Sequence, residues 1–198
     1  MRKLLPLAVI LLVIVIVVAS LAGQYNGLVK MQEQVNSQWG NVENVYQRRA
    51  DLIPNLVETV KGYATHERQT FDEVIQARAA ATQVQAQLTP EALNDPQMLQ
   101  KFQAAQQQLG AALGRLMVIV EQYPDLKANQ NFLDLQAQLE GTENRIAVER
   151  RRFNEVAQRY NTAIRRFPTN LVAGAFHFGS KAYFQAAEGA QEAPKVKF

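Results

Sequence analysis

From Leu4 to Ala22 the chain runs for 19 residues without a charge, and its centre reads AVILLVIVIVVA. That is close to the roughly 20 apolar residues a helix needs to cross a bilayer core. Val and Ile form helices poorly in water. In lipid every backbone polar group must be satisfied within the segment, so helix is the only solution open to it. A cleavable signal peptide is the competing reading, because Ser20-Leu21-Ala22 offers small residues at a cleavage position. The apolar run exceeds the usual signal core of about 7–15 residues, which favours an uncleaved anchor. Arg2 and Lys3 precede the run, and the next basic residue is Lys30. The positive-inside rule then holds the N-terminus in the cytoplasm and puts the rest of the chain outside. The expectation is a single-pass protein of the bacterial inner membrane with an extracytoplasmic domain.

Past residue 24 no β-branched run alternates at period two, and helix formers dominate. Proline marks the breaks, at Pro90 and Pro96, at Pro124 and at Pro168. The first soluble helix is expected over about 24–63. Leu28, Val35, Val42, Leu56 and Tyr63 share one seven-residue repeat with Arg49, and Trp39, Tyr46, Ile53 and Val60 form its partner. The phase continues through Pro54, which predicts a kink rather than a break and leaves the Ala50 carbonyl without its helical donor. A second helix is expected over about 67–88, with Phe71, Val74, Ile75, Ala81 and Leu88 inward. A third, over about 96–123, has Phe102, Leu109, Leu116 and Tyr123 seven apart. A fourth, over about 125–167, repeats Phe132, Leu139, Ile146, Phe153, Tyr160 and Phe167 without a gap. The pattern predicts an all-α protein: a transmembrane helix (1–23), an elongated, coiled-coil-like antiparallel four-helix bundle (24–167) and a C-terminal segment (168–198). The second and third helices are too short to cover the other two. Near the membrane, either the C-terminal segment folds back or apolar stripes remain for self-association.

Arg49 and Glu149 stand where the repeats ask for apolar side chains. A buried guanidinium needs a carboxylate, so Arg49 is expected to meet Glu143 or reach toward Glu149, with Asp51, Arg145 and Arg150 nearby. Together with Arg48, Pro54 and Asn55 these residues form a candidate polar layer or interaction motif. Phe176, Phe178, Tyr183 and Phe184 are expected to dock on the membrane-proximal end of the bundle or at the bilayer interface, with a loose end from about residue 186.

Little points to chemistry. The chain has no cysteine, two histidines and three serines, which leaves no thiolate and no spaced Ser-His-Asp set. No Glu-x-x-His motif supports a di-iron site, so no metal, cofactor or small-molecule substrate is expected. Gly110 and Gly114 read as a small pair for close helix packing. Arg145, Arg152, Arg159 and Arg166 form a basic stripe, read as a solvated face paired with Glu143, Glu149 and Glu155. At Arg165 and Arg166 the sharper reading is contact with anionic lipid. A net charge of +3 is too small to argue for nucleic acid.

Several long strings carry a resemblance: YNGLV (25–29), YQRRADLIPNLVETVKGYATHE (46–67), AR (77–78), EQYPDLKANQNF (121–132), GTENRIAVERRRFNE (141–155), RYNTAI (159–164) and FPTNLVA (167–173). With these the chain resembles the LemA family of bacterial membrane proteins. The resemblance covers nearly the whole length, and a Gln/Ala-rich stretch at 83–108 is its least distinctive part. It implies one N-terminal anchor and a mostly helical soluble domain. It also implies a membrane-associated scaffold or accessory role, tied in some members to membrane remodelling or quality control, and no catalytic residues. The function expected is a non-enzymatic, membrane-anchored scaffold that contacts lipid and a second copy or another membrane protein. The alternative is an adaptor subunit of a membrane protease or transporter.

Overall fold

The computed structural model describes residues 4–185. Among them there are helices and turns and no strand. Helix α1 runs from Leu4 to Lys61 without interruption, so the apolar N-terminal run and the first heptad helix are one element. Helix α2 spans Arg68–Ala86, α3 Pro96–Val120, the single turn α4 Pro124–Lys127, α5 Gln130–Arg165 and α6 Thr169–Ala175. A 3-10 turn at Ala92–Asn94 precedes α3.

The N-terminal part of α1 exposes its side chains all round: Val9 to Val18 are each at least half exposed. This is the one helix among the described residues long and apolar enough to cross a membrane. From Leu28 onward the helix becomes two-faced. Leu28, Val35, Trp39, Val42, Tyr46, Ile53, Leu56 and Val60 are all buried, and so is Arg49.

Helix α1 packs chiefly against α5, and α2 against α3. The α1–α5 pair keeps one antiparallel register along its length. Arg49 faces Glu143, the rings of Trp39 and Phe153 lie 5.7 Å apart, and Leu28 shares a cluster with Ile164. Two larger clusters fill the interior, each drawing on α1, α2 or its C-terminal turn, α3 and α5. The distal one gathers Ile53, Val60, Phe71, Leu109, Leu116, Phe132 and Leu139. The other, nearer the apolar run, is aromatic, with Trp39, Tyr46, Phe102, Phe153, Tyr160 and Phe184.

Helix α5 begins at Gln130 rather than at Asp125. Pro124 opens the separate turn α4. Asn129 is then extended, and its side chain accepts from the Phe132 N–H at 3.1 Å as the N-cap of α5. The helix ends at Arg165, so Phe167, the last member of its seven-residue series, leaves the core and is 78% exposed. Ile75 also differs from expectation. It is 44% exposed because Phe71, Val74, Ala77 and Ala81 already fill the inward face of α2. Gly110 and Gly114 do not mediate close packing, since a Cβ on either would meet nothing within 4 Å.

The chain then folds back over the stretch that α2 and α3 leave uncovered. Val172 and Ala173 of α6 pack on Leu28. The helix ends in a Schellman motif. Phe178 N–H bonds the Ala173 carbonyl at 2.9 Å and His177 N–H the Gly174 carbonyl at 3.5 Å. His177, with φ 59°, takes the left-handed position that glycine usually fills. Residues 178–185 continue away from the apolar run without helix or sheet partners. At about 3.3 Å per residue they climb roughly 20 Å, which carries Phe184 to the level of Trp39. Phe184 therefore docks deep in the aromatic cluster and not at the membrane-proximal end. Phe176 and Phe178 stay low, against Tyr25. The segment from residue 186 lies outside the described residues.

Candidate functional site: the arginine layer and the C-terminal strap

Arg49 is 4% exposed and inserts between α3 and α5. One guanidinium nitrogen donates to Glu143 at 2.8 Å. The other donates to the Gln106 backbone carbonyl at 2.9 Å and to its side-chain oxygen at 3.1 Å. Helix α1 thus binds both neighbours through a single side chain. The Arg49 Nε is buried without a protein partner. The Arg49 side chain borders a cavity of about 220 Å³ also lined by Tyr46, Gln103, Gln106, Glu143 and Arg150.

The other members of the expected layer are spread out. Arg48, Asp51, Pro54, Asn55 and Arg145 face solvent, and Asp51 accepts from Gln47 at 2.8 Å. Glu149 is not within the Arg49 contacts. It lies further toward the apolar run, accepting from Gln38 at 2.7 Å and from Arg152 at 2.7 Å. Arg150 stands on the cavity wall beside Tyr46. It donates to the Gln185 carbonyl at 2.9 Å and lies 4.8 Å from the centre of the Phe184 ring, a cation–π contact. Burial pushes the Tyr46 hydroxyl above its usual range, and the charges of Arg150 and Arg49 pull it partly back.

Pro54 leaves the Ala50 carbonyl free, and Arg78 from α2 supplies the missing donor, its Nε bonding that oxygen at 2.6 Å. The AR at 77–78 therefore serves the packing of α1 on α2. Ala77 is buried in the distal cluster, and Arg78 reaches across to α1.

The strap, residues 178–185, is held by amide side chains that each grip one residue's backbone at both ends. Asn161 donates to the Lys181 carbonyl and accepts from its N–H, both at 2.8 Å. Asn154 does the same to Phe184 at 2.9 Å. Gln103 grips Gln185 at 3.1 and 3.3 Å. These clasps replace a strand neighbour and satisfy a buried backbone that has no ladder. One backbone bond adds to them, from Ala182 N–H to the Leu93 carbonyl at 2.9 Å. Lys181 is buried and donates to the Pro90 carbonyl at 3.0 Å. Burial holds its amine below the usual lysine range, and Glu91 partly offsets that.

Asn154, Asn161, Gln103, Gln106 and Lys181 were given no role from the sequence, and Arg78 entered only as part of the AR string at 77–78. Their signal was weak: polar residues beside heptad positions, in a chain already rich in Gln and Asn. Chemically the site can hold charge and fix backbone. It brings no Ser, Cys or His to the arginine, and among the described residues no group of acidic or histidine side chains has metal-binding spacing.

A family profile described as the LemA family matches residues 38–198. Magnetosome protein MamQ of Magnetospirillum gryphiswaldense is 31% identical over 194 residues, covering 91% of this chain and 71% of that one. Magnetosome protein MamQ 2 of Paramagnetospirillum magneticum is 30% identical, over 87% of this chain and 68% of its own. Protein LemA of Metamycoplasma hominis is 26% identical, over 84% and 71%. With the family profile spanning most of its length, and with one membrane-length helix leading into a helical bundle, this chain belongs to the LemA family.

Proposed function

We propose that this protein is a non-enzymatic scaffold of the bacterial inner membrane. Its four-helix bundle stands on the extracytoplasmic side and is bent at Pro54 near the tip. One observation carries the reading: α1 is a single helix from Leu4 to Lys61, so the segment that would lie in lipid and the wall of the bundle are one rigid element. A catalytic domain needs no such coupling, whereas a scaffold that presents a surface at a set height does. From Ala22 to Lys61 the helix rises about 58 Å at 1.5 Å per residue. The polar residues at its distal end, Arg48, Asp51 and Asn55, face solvent and form the presented surface. The relatives are named as magnetosome proteins and as LemA, and none of those names is an enzyme's.

Two experiments test it. Protease added to intact spheroplasts should digest the bundle; protection until lysis would place it in the cytoplasm. Inserting Gly-Gly-Ser between Gly23 and Gln24 uncouples rod from span. The insertion should leave membrane retention intact and change which proteins crosslink to the distal end. An unchanged crosslinking pattern would remove the need for a rigid rod. A single stoichiometric partner recovered from the membrane-proximal end would favour an adaptor subunit instead.

A further inference from the structure

The lower end of the bundle carries an apolar surface that the fold does not cover. Phe167 is 78% exposed, Leu171 60% and Phe176 61%. All three belong to α6 or its flanking turns. Their height is set by two independent contacts. The antiparallel register that puts Glu143 on Arg49 and Ile164 beside Leu28 places Phe167 level with Tyr25. The Phe176 ring lies 4.8 Å from the Tyr25 ring. Tyr25 is three residues past Ala22, the end of the apolar run, about 4.5 Å along the helix. The headgroup layer on each side of a bilayer is roughly 5–7 Å deep, the difference between a hydrocarbon core of about 30 Å and a total of about 40–45 Å. The exposed aromatics thus stand at headgroup height.

Charge at this end is one-sided. No Asp or Glu occurs between Glu155 and Glu188, while Arg159, Arg165 and Arg166 do. On α1 the same level carries Lys30, with no carboxylate from residue 23 to Gln32. Arg165 and Arg166 are exposed and adjoin Phe167. Apolar side chains flanked by arginines are the pattern of a segment lying in the plane of an anionic interface.

We propose that Arg165 to Phe178 form a membrane foot, with Phe167, Leu171 and Phe176 at the acyl boundary and Arg165 and Arg166 on anionic headgroups. The inference rests on the reading of residues 4–22 as a bilayer span. A second contact beside the span restricts the tilt and rotation of the rod, which a single helix leaves free. It also gives α6 a role beyond closing the core over Leu28.

The test uses the full chain with Leu171→Trp, reconstituted in phosphatidylcholine vesicles with and without phosphatidylglycerol. Each preparation carries lipids brominated near the glycerol or near the chain end. The natural Trp39 is buried and about 26 Å above Ala22, so the unaltered chain should show no quenching. The introduced tryptophan should emit at shorter wavelength than in water and lose most of its emission to the shallow bromines. Water-like, unquenched emission in both lipids would overturn the foot. Quenching equal in the two lipids and indifferent to Arg165→Gln with Arg166→Gln would overturn its anionic half. Phe167→Trp, at a more exposed position, reports the same depth if Leu171→Trp does not fold. Carbonate extraction separates the premises: loss of the chain from vesicles defeats the span, whereas retention of the Leu171→Trp chain with its introduced indole unquenched defeats only the foot.

Discussion

Arg49 shows how an apolar repeat accommodates a charge. Its stem follows the seam between Val42 and Leu56, and its head leaves the core on the α3 and α5 side, where a carboxylate and an amide wait. The two partners are unequally buried. The Arg49 side chain is 5% exposed and that of Glu143 45%. Removing the carboxylate strands a charge that water reaches poorly, whereas removing the arginine strands one that water can solvate. Glu143→Ala should therefore cost about 2–3 kcal/mol, and Arg49→Met should cost less despite losing three hydrogen bonds. Urea unfolding of both variants checks the order. Equal or reversed costs would mean that the layer contributes through packing alone. At His177 the backbone carries strain that glycine would not, since the left-handed region costs an L-residue about 1–2 kcal/mol. Part of that gain is lost to the greater freedom of glycine in the unfolded chain. His177→Gly should stabilise by about 0.5–1 kcal/mol, a rise in Tm of roughly 2 °C; a fall would show that the imidazole makes a contact worth more than the strain.

At the scale of elements, Pro54 and Arg78 act as one unit across α1 and α2. Proline deletes a helical donor, and the arginine of the neighbouring helix replaces it. In the natural chain Arg78→Ala leaves the Ala50 carbonyl without that donor, at about 1–3 kcal/mol. With Pro54→Ala the helix supplies its own N–H, and the arginine becomes redundant at that oxygen. A double-mutant cycle should return a coupling of about 1 kcal/mol or more, which additive variants would contradict. The strap is the second such unit. Phe184 closes the aromatic cluster against Trp39, Phe102 and Phe153. Truncation to alanine should cost about 3–5 kcal/mol. Amide exchange should rise most around the strap, the start of α3 and residues 153–161 of α5, and least in the distal cluster. Uniform loss of protection would mean that the two clusters unfold together.

Over the molecule as a whole, the chain is a LemA-family membrane protein in which one long helix links a membrane-length segment to a helical bundle. Much of this was legible in the residues. The apolar stretch of 19 residues from Leu4 to Ala22 leaves a backbone few ways to satisfy itself in lipid, and a seven-residue repeat has one face to bury, so helix and inward face follow from local chemistry. The buried seam of α1 from Leu28 to Val60 was readable residue by residue for that reason. Where α5 begins and ends was less so: the repeat of phenylalanines runs past Arg165, but a helix stops where its caps and neighbours stop it, and Phe167 falls outside. That the C-terminal segment folds back and seats Phe178 low on the bundle was legible, but the climb of residues 179–185 to the level of Trp39 was not. An extended segment carries no periodicity of its own, and its position is decided by Asn154, Asn161 and Gln103, amides far apart in sequence whose side chains converge only once α3 and α5 are packed. The helices, the membrane-length segment and the faces they bury were therefore written into the residue order, because those depend on neighbours three to seven residues away. What the arginine pairs with, what donor meets the Ala50 carbonyl and where the strap and α6 come to rest were settled by packing, because each depends on groups that only the assembled bundle brings within contact distance.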